Sequence, residues 1–229
     1  MKTNSKFFNY CKLAAVALVA MVGFSACSND DDNGITGDAY VRIVNAASGS
    51  SAQDFYLDST KVSTKAVAYT ESSAYMTTNS GNRLARFKTS GSTTVNSSSN
   101  VKLDAGKYYT IYYTGGASAN ANFVTTDERG KAAAGKAKVR FVHLSSFLAD
   151  KVNLTIKNGA TIVNNLAYKT ASAYQEVAAS SDFELIATGS NDSSIDLPGL
   201  NLASGASYTV YISGDNLLNL KVKAMVDEQ

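Results

Sequence analysis

Beyond position 38 the chain is written in short runs where apolar and polar residues alternate, broken by Gly, Ser, Asn and Asp. A period of two puts successive side chains on opposite faces of a strand. No stretch carries the longer apolar period of an extended helix. In Asp54-Phe55-Tyr56-Leu57-Asp58, Phe55 and Leu57 share one face. Tyr109, Ile111 and Tyr113 form a second apolar set that should face a core, with Tyr108 on a wetter side. Arg83-Leu84-Ala85-Arg86-Phe87 supplies a further strand, and Asn122 to Thr126 a closing one.

These runs occur twice, at a spacing of about 99 residues. Ala39-Tyr40-Val41-Arg42-Ile43-Val44-Asn45 matches Ala137-Lys138-Val139-Arg140-Phe141-Val142-His143, and Ala74-Tyr75 matches Ala173-Tyr174. Gly106 with Tyr109-Thr110-Ile111-Tyr112 matches Gly205 with Tyr208-Thr209-Val210-Tyr211. Asp54 to Asp58 corresponds to Asn153-Leu154-Thr155-Ile156-Lys157. Self-similarity at a fixed period marks duplicated units. Seven or eight short strands in about 90 residues predict a β-sandwich per copy. The expected class is all-β, two tandem antiparallel β-sandwich domains, immunoglobulin-like or transthyretin-like, after a cleaved lipoprotein signal peptide. The boundaries are 1–26 signal peptide, 27–38 acidic flexible tether, 39–129 first repeat, 130–136 linker and 137–229 second repeat. Each copy is expected to own its core, so a fragment starting near Gly135 should fold alone.

The first 26 residues follow a different pattern. Lys2, Lys6 and Lys12 precede an apolar run from Leu13 to Phe24, and Gly23-Phe24-Ser25-Ala26 leads into Cys27. A basic start, a short apolar segment and small residues before a cut describe a secretory signal. About a dozen apolar residues fall short of the roughly 20 that span a bilayer. The small residues ending in Cys27 resemble the lipobox of bacterial lipoproteins, which implies acylation of Cys27 as the first mature residue. Ser28-Asn29-Asp30-Asp31-Asp32 resembles the signal that sends some Gram-negative lipoproteins to the outer face of the outer membrane. A solvated tether is the alternative use of such a charge block.

Removing the leader changes the charge. The chain holds 21 Lys+Arg and 19 Asp+Glu, and three lysines leave with the signal, so the mature balance is 18 − 19 = −1. Without surplus positive charge to neutralise phosphates, nucleic acid is not an expected partner. Cys11 lies in the leader and Cys27 is the lipid site, so no disulfide is available and an apolar core must stabilise the body.

Val41-Arg42-Ile43-Val44-Asn45, Asp54 to Asp58, Val67-Ala68-Tyr69 and Gly135 to His143 resemble the domain of unknown function 4397 family. The resemblance runs from about Ala39 to Gly214 and implies exported, often tandem, β-sandwich modules on bacterial envelopes, with no catalytic activity. The second copy departs from the pattern with Asn153 and Lys157 in place of Asp54 and Asp58.

Candidate chemistry is sparse. Asn29, Asp31, Asn33 and Gly34 mimic the start of an EF-hand loop, but its twelfth position is Tyr40 where a bidentate Glu is needed. His143, the single histidine, corresponds to Asn45 in the first copy and reads as a polar strand-end residue. One His cannot by itself make a zinc site. Asp127-Glu128 and Asp227-Glu228, at the ends of the copies, read as solvated charge. Arg42 and Arg140, between apolar neighbours, read as structural ion-pair or hydrogen-bond anchors. Tyr108 and Tyr112 are the candidate surface aromatics, since Tyr pairs apolar area with a polar tip. No catalytic residue, metal or cofactor is assigned. The expected function is a non-catalytic, lipid-anchored envelope protein, held to the membrane through Cys27, that binds external proteins or glycans. The alternative is a structural subunit that docks another envelope protein in an outer-membrane assembly. The expected location is the outer membrane, facing the exterior, with the periplasmic face as the alternative.

Overall fold

The computed structural model describes residues 37–116, 122–148, 151–188, 194–197 and 199–228. The leader, Cys27 and Ser28 to Asp32 lie outside the described residues. The first copy contributes β1 (Asp38–Asn45), β2 (Gln53–Leu57), β3 (Thr60–Lys61), β4 (Met76–Asn79), β5 (Gly81–Thr89), β6 (Val95–Leu103), β7 (Tyr108–Tyr113) and β8 (Asn122–Asp127). The second contributes β9 (Lys136–Ser145), β10 (Lys151–Ile156), β11 (Thr161–Ala167), β12 (Thr170–Ala171), β13 (Gln175–Ala178), β14 (Phe183–Ala187), β15 (Ser194–Leu197), β16 (Ser207–Gly214) and β17 (Lys221–Glu228).

Each copy is a sandwich of two sheets. In the first, β4-β1-β7-β8 packs on β3-β2-β5-β6. In the second, a sheet ordered β12-β9-β16-β17, with β13 also on β9, packs on β11-β10-β14-β15. The alternating positions fill the space between sheets: Val41, Ile43, Phe55, Leu57, Phe87 and Ile111 in the first, Val139, Phe141, Leu154, Phe183, Leu185 and Val210 in the second. The sheets are not wholly antiparallel, as expected, because β1 pairs β7 and β9 pairs β16 in parallel. Between β1 and β7 the chain crosses to the other sheet and back, and such a crossover is what a parallel pair requires.

The sheets β4-β1-β7-β8 and β12-β9-β16-β17 are the inner ones, because their second faces pack against each other. A third apolar cluster joins Val44, Ala46 and Tyr112 of the first copy to Val142, Leu144, Tyr211 and Met225 of the second. Each copy therefore owns an inter-sheet core but shares a third core that neither can form alone. Tyr112 and Tyr211 are fully buried there with rings 6.1 Å apart. Burying a large side chain of this kind contributes about 1.5–3 kcal/mol.

Candidate functional site

The residues that recur between the copies converge on the inner-sheet interface. Arg42 on β1 donates to Asp227 Oδ1 at 2.5 Å, to Thr110 Oγ1 and to the Val226 carbonyl. Arg140 on β9 repeats this with Asp127, Thr209 and the Thr126 carbonyl. Tyr75 donates to Asp127 at 2.7 Å and Tyr174 to Asp227 at 2.9 Å. The arrangement has the self-complementary form of a two-fold interface, built inside one chain. It also caps the edge strands β8 and β17, whose carbonyls at Thr126 and Val226 each accept from the other copy's arginine.

Burial opposes the charge on Arg42, yet Asp227, Tyr75 and Asp127 outweigh it and hold its pKa above the ordinary value. Arg140 is raised in the same way, burial being outweighed by Asp127, Tyr112 and Tyr174. Burial pushes the Tyr75 and Tyr174 hydroxyls well above the usual range. The arginines and carboxylates of this structural weld are buried, with Tyr75 and Tyr174 partly exposed at its margin. Asp127 and Asp227, read from sequence as solvated, have fully buried carboxylates. Their neighbour Glu128 is exposed and bonds Lys138. The signal available in the sequence was the recurrence of Asp-Glu at both copy ends alongside the recurring arginines.

Of the two candidate surface aromatics, Tyr112 falls elsewhere than expected: it is a core residue of the interface, because the outer sheet covers one face of β7 and the second copy the other. Tyr108 is half-buried, stacked on Tyr40 at 4.4 Å, with the Arg129 guanidinium 4.6 Å from its ring. His143 is buried on β9 with its ring 5.8 Å from that of Tyr168.

A concave site lies where the C-terminal ends of the two parallel pairs meet. There Ala46 and Ser48 follow β1, Gly115 follows β7, Leu144 ends β9, Asp215 follows β16, and Tyr168 closes one side. The cleft holds about 240 Å³. That is below the roughly 300–1,000 Å³ of pockets for drug-sized ligands, and suits one small unit such as a single sugar ring or side chain. Asn45 shapes its first wall by donating to the Ser51 and Val67 carbonyls and accepting from Ala47 N and Ser50 Oγ. Ser48 donates to Asp215 across the two copies at 3.0 Å. Hydrogen bonds from Asn219 and Ser48 lower the Asp215 pKa. Gly214 permits the second wall, since a Cβ there would sit 2.6 Å from the Asn219 carbonyl oxygen.

Among the described residues, six large apolar side chains are exposed, and four of them are on loops around this cleft. Phe147 follows β9 at 45% exposure, Tyr168 precedes β12 at 36%, and Leu217 and Leu218 lie between β16 and β17 at 63% and 88%. The counterpart of Tyr168 is Tyr69, which instead donates to the Asn219 carbonyl at 3.0 Å and ties the copies together. The local pattern does not mark this rim, because Leu217-Leu218-Asn219-Leu220 resembles the apolar start of a strand, whereas β17 begins at Lys221.

The model of a domain of unknown function (DUF4397) matches residues 39–155, spanning the first sandwich, the linker and the first two strands of the second. The chain belongs to this family. No curated protein matches the sequence of this DUF4397 protein. Among solved structures, a family-26 carbohydrate-binding module from Eubacterium rectale, in complex with maltoheptaose, aligns at 11% identity and a TM-score of 0.24. That alignment covers 82% of this chain and 96% of that one. A candidate cell adhesion protein from Bacteroides uniformis aligns at 10% identity and a TM-score of 0.25, covering 83% and 98%. Likenesses this distant carry no argument about function. Among the described residues no group of three or more His, Cys, Asp or Glu could hold a metal ion.

Proposed function

We propose that this DUF4397 protein is a lipid-anchored binding module of the outer membrane, acylated at Cys27 and directed outward by Ser28 to Asp32. Its ligand is an external protein or glycan, held at the end cleft. One observation carries the reading. Exposed apolar side chains gather around a polar cleft that both copies build, and such patches on a folded surface mark interaction sites. Leu218 at 88% exposure has no packing role that would explain it.

Two experiments test it. The acylated protein in detergent is applied to arrays of glycans and matrix proteins beside a Tyr168→Ala/Leu218→Ser variant. Hits lost in the variant support the site, and an array without hits, or with hits the variant retains, rejects it. Protease shaving of intact cells, with a periplasmic protein as control, tests orientation. Digestion of the body while the control survives is the expected result, and protection until the outer membrane is broken would replace surface display with the periplasmic alternative.

A further inference from the structure

The two outer sheets, β3-β2-β5-β6 and β11-β10-β14-β15, are built alike, yet charge is placed differently on their solvent faces. Phe55, Leu57, Ala85 and Phe87 point into the core. The period of two therefore puts Tyr56, Arg86 and Lys88 on the outside. Phe55 pairs Phe87 in the first copy, as Leu154 pairs Leu185 in the second. Those registers superpose Tyr56 on Thr155, Arg86 on Glu184 and Lys88 on Ile186, and the next strand superposes Ser98 on Asp196. Over these four positions the first copy carries two cations and the second two carboxylates, of which Asp196 is paired at 2.7 Å with Lys157, the residue that stands in place of Asp58. The fold does not require this reversal, since both sheets close the same kind of core.

The cations are held in place. Lys88 Nζ sits 4.4 Å over the Tyr56 ring, and Arg86 Nη1 donates to the Asp58 carbonyl at 2.8 Å. Both partners are neutral. The two acids nearby are already matched, Asp54 by Lys61 at 2.8 Å and Asp58 by Arg83 at 2.7 Å. Lys102 extends the basic strip along β6, where it pairs Asn82, and its side is exposed. Asn82, Ser98 and Asn100 add amide and hydroxyl groups on the same face.

We propose that this face of the first sandwich binds an acidic polysaccharide, with Arg86, Lys88 and Lys102 meeting its carboxylates or sulfates. Arg86 and Lys88, two residues apart on β5, lie about 6.6 Å apart along the strand, and Lys102 continues the positive charge on β6 opposite Asn82, a spread of cations suited to a polymer that bears repeated anions. Asn82, Ser98 and Asn100 can bond sugar hydroxyls. A protein partner would need an aromatic or aliphatic anchor, and the Tyr56 ring is covered by Lys88. A lipid surface would need a cluster of exposed apolar side chains to insert, and this face has only Leu84, partly buried, and Val95 beside Lys88 at 42% exposure. The site is separate from the end cleft and stands whether or not that cleft binds a ligand.

The test is binding of the full mature protein in detergent to polygalacturonate and to heparin, with amylose as the neutral control. Binding to at least one acidic polymer at low salt, absent with amylose and lost near 0.5 M salt through screening, is expected. An Arg86→Glu/Lys88→Ile variant, which writes the second copy's residues into the first, should weaken it by about tenfold or more. Its far-UV circular dichroism and melting should match the wild type, because Glu184 and Ile186 already occupy those positions in a folded sheet. A Lys102→Glu variant should weaken binding independently. The proposal is overturned if neither acidic polymer binds, or if Arg86→Glu/Lys88→Ile binds as well as the wild type. It is also overturned if phosphatidylglycerol vesicles bind better than both polymers with the same loss in the variant, or if binding emerges only in Asp30→Asn/Asp31→Asn/Asp32→Asn. The last two outcomes would give the strip to a lipid headgroup or to the chain's own tether.

Discussion

Replacing Asp227 by Ala should destabilise both copies at once. The Asp227 carboxylate is fully buried and accepts from Arg42 Nη2 at 2.5 Å, Thr209 Oγ1 at 2.7 Å and Tyr174 OH at 2.9 Å. Its removal leaves the Arg42 guanidinium buried, with Asp127 the next carboxylate at 3.6 Å. Breaking a buried ion pair on one side costs about 3–5 kcal/mol, because the remaining charge keeps its desolvation penalty. A domain of this size loses about 2–4 °C of melting temperature per kcal/mol, so the fall should be about 6–20 °C. Glu228→Ala is the internal control, since its pair with Arg129 is partly exposed and such pairs contribute about 0–1 kcal/mol.

The assay is urea and thermal unfolding followed by far-UV circular dichroism and tyrosine fluorescence, the chain having 13 Tyr and no Trp. A double-mutant cycle with Arg42→Met and Asp227→Leu separates the pair from its parts. The double variant should be more stable than the sum of the single effects predicts, since neither charge is then stranded. Because the shared cluster links the sandwiches, unfolding should remain a single transition. Asp227→Ala within about 0.5 kcal/mol of wild type, strictly additive single effects, or two well-separated transitions would each refute the interlocked reading.

Cys27→Ser should release the protein from membranes on fractionation, since stable anchoring takes two or more acyl chains; persistent association would sink the lipobox reading. Gly214→Ala should destabilise by about 1–3 kcal/mol in urea melts, because φ is 128° and the added Cβ would meet the Asn219 carbonyl oxygen at 2.6 Å; an unchanged midpoint would contradict that geometry. Stability should also fall in alkali. Burial raises the hydroxyls of Tyr75, Tyr112, Tyr174 and Tyr211 above their ordinary pKa, so the folded state holds them neutral. Their contribution is complete below the unfolded value of about 10 and is lost as pH rises past it toward the folded values. Urea midpoints from neutral to alkaline pH should drop above about 10 together with phenolate absorbance; phenolate appearing at full amplitude in the folded protein would disprove the burial argument.

Period-two patterning made the strands legible, because a face such as Phe55 and Leu57 against Tyr56 is a local property of the sequence. The same rule says which residues share a face but not what covers it. Arg42, Thr110 and Tyr112 alternate with the core set and should, on pattern alone, meet water; they meet the other copy instead. That pairing lies between residues up to 185 positions apart, as Arg42 and Asp227 are, and no local pattern records it. The end cleft was hidden for a similar reason. Leu217 and Leu218 look like strand residues until the turn at Gly214 throws them outward.

The duplication itself separates structure from use. Five of the residues that both copies keep are committed to the shared interface: Arg42 with Arg140, Thr110 with Thr209, Tyr75 with Tyr174, Tyr112 with Tyr211 and Asp127 with Asp227. Arg42 reaches Asp227 and Arg140 reaches Asp127 across the copies, and Tyr112 meets Tyr211, so a change at these positions in one copy strands a buried group in the other. Where the copies differ, the positions lie outside that weld. Arg86 with Lys88 stands where the second copy has Glu184 with Ile186, and the tyrosine kept at 69 and 168 is used differently, bonded across the copies at Tyr69 and exposed at Tyr168. A fused pair of sandwiches thus spends its inner sheets on stability and leaves its outer sheets and one end free to acquire different surfaces. Those free places are where an aromatic rim and a basic strip are found.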